Sequence, residues 1–161
     1  NGTRAEKFAL VAKHFPELSV ALTELADRAA SAPSTLCEND LLPMNVLWDG
    51  HDATIIDFGH ADISPYFGDP ARFVAFGKPE GGYYVQPTDA REKFFTQYFE
   101  IIRSMAGTTL DRARFDRDIA LGEIAELSLV LAAYIRRTTK FAVVASQPEF
   151  ERVLQIAHTL G

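Results

Sequence analysis

A single cysteine, Cys37, stands in 161 residues, so no internal disulfide can staple this fold, and the chain suits a reducing compartment. With no partner base specified nearby, Cys37 reads as a packed thiol rather than a nucleophile. No apolar run reaches the roughly 18 residues a membrane-crossing helix needs, and no segment reads as a signal peptide. The expected setting is cytoplasmic, with no membrane partner. Basic clusters are missing too. The net charge is −6 and the isoelectric point about 5.2, which argues against nucleic acid as a partner and is compatible with cationic substrates. There is no glycine-rich loop: Gly81-Gly82 is an isolated pair before Tyr83-Tyr84 and reads as a turn. The four histidines, at 14, 51, 60 and 158, are too dispersed for a zinc site. No repeat or low-complexity tract appears.

What remains is mostly helix. At 47% hydrophobic residues, one core of ordinary size is available. Apolar positions recur at helical spacing over Ala5–His14 and Leu18–Ala30, with Pro16 breaking between them, so the residues before Cys37 are expected to contain no strand. Asp69 is expected to cap a short helix over Pro70–Phe76, and Lys78–Pro87 reads as a loop. Thr88 and Asp89 suit the start of a helix running to about Met105, with Gly107 ending it. Asp111 opens a long helix to about Thr139, whose apolar set (Ile119, Ile124, Leu127, Leu131, Ile135) suits the centre of a helical lobe. Ser146-Gln147-Pro148-Glu149 has the form of a capping box and starts a last helix to Leu160. Arg136-Arg137 reads as a solvated patch that favours the helix dipole.

The exception to helix is Glu38-Asn39-Asp40-Leu41-Leu42-Pro43-Met44-Asn45 followed by two short apolar runs. Val46–Trp48 and Ala53–Ile56 read as strands joined by the turn Asp49-Gly50-His51-Asp52. Antiparallel pairing about that turn sets residue 48 near 53, and residue 45 near 56 or 57. Asn45 and Asp57 then emerge side by side at one end of the hairpin, and Asp40 lies on the loop entering that end. An Asp, an Asn five positions on, and an Asp-Phe-Gly after a hairpin form the arrangement kinase chemistry needs. One carboxylate orients the nucleophile, and an amide and a second carboxylate hold magnesium against ATP phosphates.

At these residues the chain resembles the aminoglycoside phosphotransferase and choline kinase superfamily. That family places a His-Gly-Asp or His-Asn-Asp triplet before Leu-x-Pro-x-Asn, then an apolar hairpin and Ile-Asp-Phe/Trp. Cys37 to Asn45 is most similar to the choline/ethanolamine kinase form, because Asn39 stands where the antibiotic branch commonly has Gly. Gly59-His60-Ala61 resembles the family's Glu-Tyr-Ala, and Gly68–Phe73 resembles its Asp-Leu-Ala helix start. The likeness covers Leu36 to about Phe73. It implies a mainly α (α+β) fold: a protein-kinase-like carboxy-terminal lobe, helical with a short catalytic β-hairpin. Residues 1–161 would then be one such lobe, without the amino-terminal nucleotide lobe and its glycine-rich loop and lysine.

The resemblance further implies an enzyme, a small-molecule kinase that moves phosphate from ATP to a hydroxyl acceptor. Asp40 would be the base, and Asn45 and Asp57 the Mg²⁺ ligands. One departure stands out. Glu38 occupies the position of the family's His and adds a carboxylate to an acidic cluster, where like charges oppose full ionisation unless a cation is present. The alternative is therefore a catalytically impaired, kinase-derived binding module. A magnesium-dependent phosphohydrolase using Asp40 and Asp57 is a weaker alternative, lacking an aspartyl nucleophile motif.

For the acceptor, the segment His60 to Asp69 must pass close to the metal end of the hairpin. Asp62, His60 and Tyr66 are the expected substrate contacts, suited to a cationic choline-, ethanolamine- or aminoglycoside-like molecule. Tyr66, Phe67, Tyr83, Tyr84, Phe94, Phe95 and Tyr98 read mostly as core. Glu123 and Glu126 read as a solvated helix face or, less simply, an acidic pocket.

Overall fold

The computed structural model describes residues 2–78, 84–105, 110–138, 144–145 and 147–161. The fold is mainly helical with three two-stranded sheets among these residues, as the sequence patterns predict. Gly81-Gly82, Tyr83, Gly107, Thr139 and Ser146, on which several expectations rest, lie outside the described residues. The chain forms two compact units, residues 1–31 with 120–161, and residues 32–119.

The first unit holds α1 (Arg4–His14), α2 (Ser19–Ser31), the later turns of α5 (Arg112–Arg137) and α6 (Pro148–Leu160). Thr3 and Glu6 close a reciprocal capping box at the start of α1, satisfying two otherwise orphaned amides. Pro16 begins a single 3₁₀ turn to Leu18, which ends α1 and redirects the chain into α2. Apolar side chains from all four helices are buried here, including Val11, Leu22, Leu25, Ile124, Leu127, Leu131 and Val153. Phe15 packs on Phe150 with ring centroids 4.3 Å apart.

Within α5, residues 121–128 are all buried, so this stretch has no solvated face. That corrects the reading of Glu123 and Glu126, which are 2% and 3% exposed. Arg152 donates to Glu123 at 3.1 Å and Arg4 to Glu126 at 3.2 Å. Buried charge survives only when it is paired, and here the partners come from α6 and α1. Arg136 and Arg137 are exposed, as expected.

The second unit carries the hairpin. β1 (Ser34–Cys37) pairs antiparallel with β4 (Asp62–Pro65), in the register Ser34↔Pro65 to Cys37↔Asp62. This overturns one expectation, because the residues just before Cys37 do form a strand, and the segment after Asp57-Phe58-Gly59 supplies its partner. The run Ser-Thr-Leu-Cys is too short to show a period of two, so it left no alternation to read. β2 (Val46–Trp48) and β3 (Ala53–Ile55) pair as Trp48↔Ala53 to Val46↔Ile55. Asp49 closes their turn by accepting from the amides of His51 and Asp52, both at 2.8 Å. β5 (Gly77–Lys78) and β6 (Tyr84–Val85) make a two-residue parallel bridge that begins one residue before the expected loop and reaches into it.

α3 (Gly68–Ala75) and α4 (Thr88–Met105) complete the unit with the first turns of α5. Asp111 caps α5, accepting from the amide of Arg114 at 2.7 Å. Phe115, fully buried, lies within 5.2–6.2 Å of the rings of Tyr66, Phe95, Tyr98 and Phe99. Tyr66 is 1% exposed and its hydroxyl donates to Asp118 at 2.9 Å, while Tyr98 donates to the Tyr66 carbonyl at 2.6 Å. Phe115→Ala should therefore cost about 3–5 kcal/mol, read as a fall in the urea midpoint. A loss below about 1 kcal/mol, the level of surface substitutions, would refute this account of the core.

Candidate active site

β1 delivers Cys37 to the sheet end where the chain turns into Glu38-Asn39-Asp40. Two backbone amides, those of Glu38 and Asn39, donate to the two carboxylate oxygens of Asp69 at 2.6 and 2.8 Å. Asp69 lies in the first turn of α3. Its expected role as the cap of that helix is corrected: the N-cap position is Phe67, with no side-chain cap bond, and the Asp69 carboxylate grips the loop instead. Asn39 adopts a left-handed backbone, φ 64°, which Asn tolerates better than most residues. Its side-chain amide donates to the carbonyl of His60 at 3.2 Å, tying this loop to the one that follows Asp57.

The hairpin sets the other residues. Beyond the β2–β3 ladder, the Ile56 amide donates to the Asn45 carbonyl at 2.9 Å, so Asn45 stands opposite Ile56, one residue before Asp57. The Asn45 side chain donates to the Asp40 carbonyl at 3.0 Å, which leaves its amide oxygen as the acceptor of that group. The Asn45 side chain thus holds Asp40, while its backbone pairs one residue before Asp57. Asp57 is itself left-handed, φ 65° and ψ 53°, and the chain then makes a 3₁₀ turn over Phe58–His60. A Cβ at Gly59 would touch Asp57 Oδ1 at 3.4 Å.

Charge in this region is mostly negative. Arg72, three residues along α3 from Asp69, pairs with Asp40 Oδ1. Glu38 is 3% exposed. Its Oε2 accepts the Asp40 amide at 2.9 Å, and its Oε1 is buried with no hydrogen-bond partner among the described residues. Burial pushes the Glu38 carboxyl above its usual range, and the charges of Asp69, Asp40 and Asp57 push the same way. Burial chiefly, with Asp69 adding, also raises the Cys37 thiol to about 11, which fits a packed thiol. Among the described residues no hydrogen bond or ion pair engages the Asp57 carboxylate.

Among the described residues, no three His, Cys, Asp or Glu side chains group to hold a metal by themselves. The set Asn45 and Asp57 fits magnesium on its donor chemistry: one amide oxygen and one carboxylate, both hard, with water and phosphate left to fill the shell.

The expected substrate contacts divide. Asp62 is exposed, opposite Cys37 in the sheet, with Oδ1 accepting the Ile63 amide at 2.7 Å. His60 is exposed on the 3₁₀ turn. Tyr66 is a core residue, so its place among the substrate contacts is withdrawn. Sequence reasoning missed Arg72 and the true role of Asp69. Their spacing of three on a predicted helix was the available signal.

The model of the phosphotransferase enzyme family matches residues 3–107. The chain belongs to this family. The match takes in α1 and α2 as well as the hairpin, α3 and α4. No curated protein and no solved structure matches the chain. No helix among the described residues is long and apolar enough to cross a membrane.

Two outcomes follow from this geometry. Asp69→Ala orphans two loop amides and should cost about 1–3 kcal/mol in urea unfolding; an unchanged midpoint would show that the grip on the loop is idle. Glu38→Gln keeps an acceptor for the Asp40 amide. Because the folded carboxyl titrates above its ordinary value of 4.5, wild-type stability is lost as pH rises through that range. The stability gain of Glu38→Gln should therefore be small near pH 4 and larger at pH 7; a gain independent of pH would contradict the shift.

Proposed function

We propose that this phosphotransferase moves the γ-phosphoryl of ATP to a hydroxyl of a small, cationic acceptor of the choline, ethanolamine or aminoglycoside kind. The observation that carries the reading is the convergence on the hairpin end, where the Asn45 side chain holds the Asp40 carbonyl and the Asn45 backbone pairs one residue before Asp57. In the transfer, Asp40 accepts the acceptor's hydroxyl proton as the new O–P bond forms and the bond to the departing diphosphate breaks. Asn45 and Asp57 would hold Mg²⁺, which when bound supplies neutralisation of the phosphate charge. Asp62 and His60, both exposed near the loop, would face the acceptor, and the overall charge of −6 favours a cation.

A second reading, an impaired binding module, is favoured by one observation. Asp40 is already engaged by Arg72 and sits beside a buried Glu38.

In the full-length protein, Asp40→Asn should lower phosphoryl transfer by about 10²–10⁴ with nucleotide binding near normal. Asp57→Ala should abolish magnesium-dependent nucleotide binding. Unchanged magnesium dependence in Asp57→Ala would sink the metal assignment. Full activity in Asp40→Asn would sink the base, and preference for neutral or anionic acceptors in a screen would sink the cationic acceptor.

A further inference from the structure

α3 reaches the loop with two side chains one turn apart. Asp69 takes the amides of Glu38 and Asn39, and Arg72 takes the carboxylate of Asp40. The i, i+3 spacing places both on one helix face, so fixing Asp69 also fixes where the Arg72 guanidinium can go. The Arg72–Asp40 pair is not sealed from solvent. Its side chains are 20% and 33% exposed, so a ligand arriving at Asp40 also meets Arg72.

The charge balance makes the pair significant. Asp69, Asp40 and Asp57 each act on Glu38 within this region, and Arg72 is a cation that an ion pair ties to it. An acceptor oxygen must come within about 2.6–3.2 Å of the Asp40 carboxylate to give up its proton. The phosphorus is bonded to that oxygen, so the phosphoryl oxygens arrive next to a group already touching Asp40. A guanidinium has five N–H donors in a fixed fork, binds phosphate as well as carboxylate, and cannot be deprotonated in a protein. It can hold both anions together without competing for the proton.

We propose that Arg72 is a second catalytic residue, resting on the phosphotransfer reading above: it holds Asp40 at rest and contacts the phosphoryl group during transfer. Atoms balance without it. The acceptor O–P bond forms, the O–P bond to the diphosphate breaks, and the proton goes to Asp40. Arg72 supplies charge and orientation only, as preorganised cations do for developing phosphoryl charge.

Inorganic phosphate is the probe, titrated calorimetrically into full-length wild type, Asp40→Asn, Arg72→Met and the double variant. Removing the Asp40 charge should tighten phosphate binding by about tenfold, the scale of one charge-assisted contact, and adding Arg72→Met should abolish that gain. If the double variant binds phosphate as Asp40→Asn does, the proposal is overturned. In turnover, Arg72→Met should lower kcat on the order of 10²-fold, with Arg72→Lys recovering part of the loss. The loss should persist in the Asp40→Asn background. A loss that vanishes there means that Arg72 acts only through Asp40, and also overturns the proposal. Absence of ATP-dependent transfer in the wild type would remove the phosphotransfer reading. The phosphate titrations decide the Arg72 contact independently of it.

Discussion

The bonds from two loop amides to the carboxylate of Asp69 are what the site depends on. They join positions 30 and 31 residues apart in sequence, and they fix the backbone of the loop at the residues on either side of its turn. A charged acceptor for two amides is among the stronger hydrogen-bond arrangements in a protein. Once Glu38 and Asn39 are held, the direction of Asp40 follows, because Glu38 Oε2 takes the next amide, that of Asp40. α3 is therefore less a packing element than a bracket for the loop. Its Ala71, Val74 and Ala75 are buried, and its Phe73 packs on Phe94 with ring centroids 5.7 Å apart.

Two residues of the site hold left-handed backbones, Asn39 and Asp57, and both are types that tolerate it. Such conformations cost on the order of 1 kcal/mol for a non-glycine residue, so something must over-determine them. For Asn39 it is Asp69 on its amide and His60 on its side chain. For Asp57 it is the hairpin on one side, ending in the Ile56–Asn45 bond, and the 3₁₀ turn on the other, closed by the Ala61 amide on the Phe58 carbonyl. The Asn39–His60 bond links the two loops directly.

Much of this could be read before the fold was known. The hairpin register was legible because an Asp-Gly turn between two apolar runs leaves little freedom. Helix ends were legible where a cap residue stood at the boundary, as at Asp111. The capping box at Thr3 and Glu6 was equally plain in spacing and went unread. What failed were features set by tertiary contact. Asp69 before Pro70 has the local chemistry of a helix cap, and nothing nearby shows that loop amides 30 residues away claim it. Glu123 and Glu126 look solvated until arginines from two other helices pair with them. Tyr66 looked available to a ligand because its partner, Asp118, is 52 residues on. The strand Ser34–Cys37 is defined by pairing rather than by pattern.

The acidic cluster can be followed carboxylate by carboxylate. Asp69 is compensated by two amides, and Asp40 by Arg72. Glu38 is buried, and burial raises its carboxyl above its ordinary range. A His at that position would have added a dipole or a positive charge, whereas Glu38 adds a hydrogen-bond acceptor for the Asp40 amide. That is a different way of holding the same loop. Asp57 is the remaining member, exposed, with no described hydrogen bond or ion pair on its carboxylate. Among these four carboxylates it is the one left for an external cation to compensate, which is why the proposed magnesium role falls to Asp57 rather than to its neighbours.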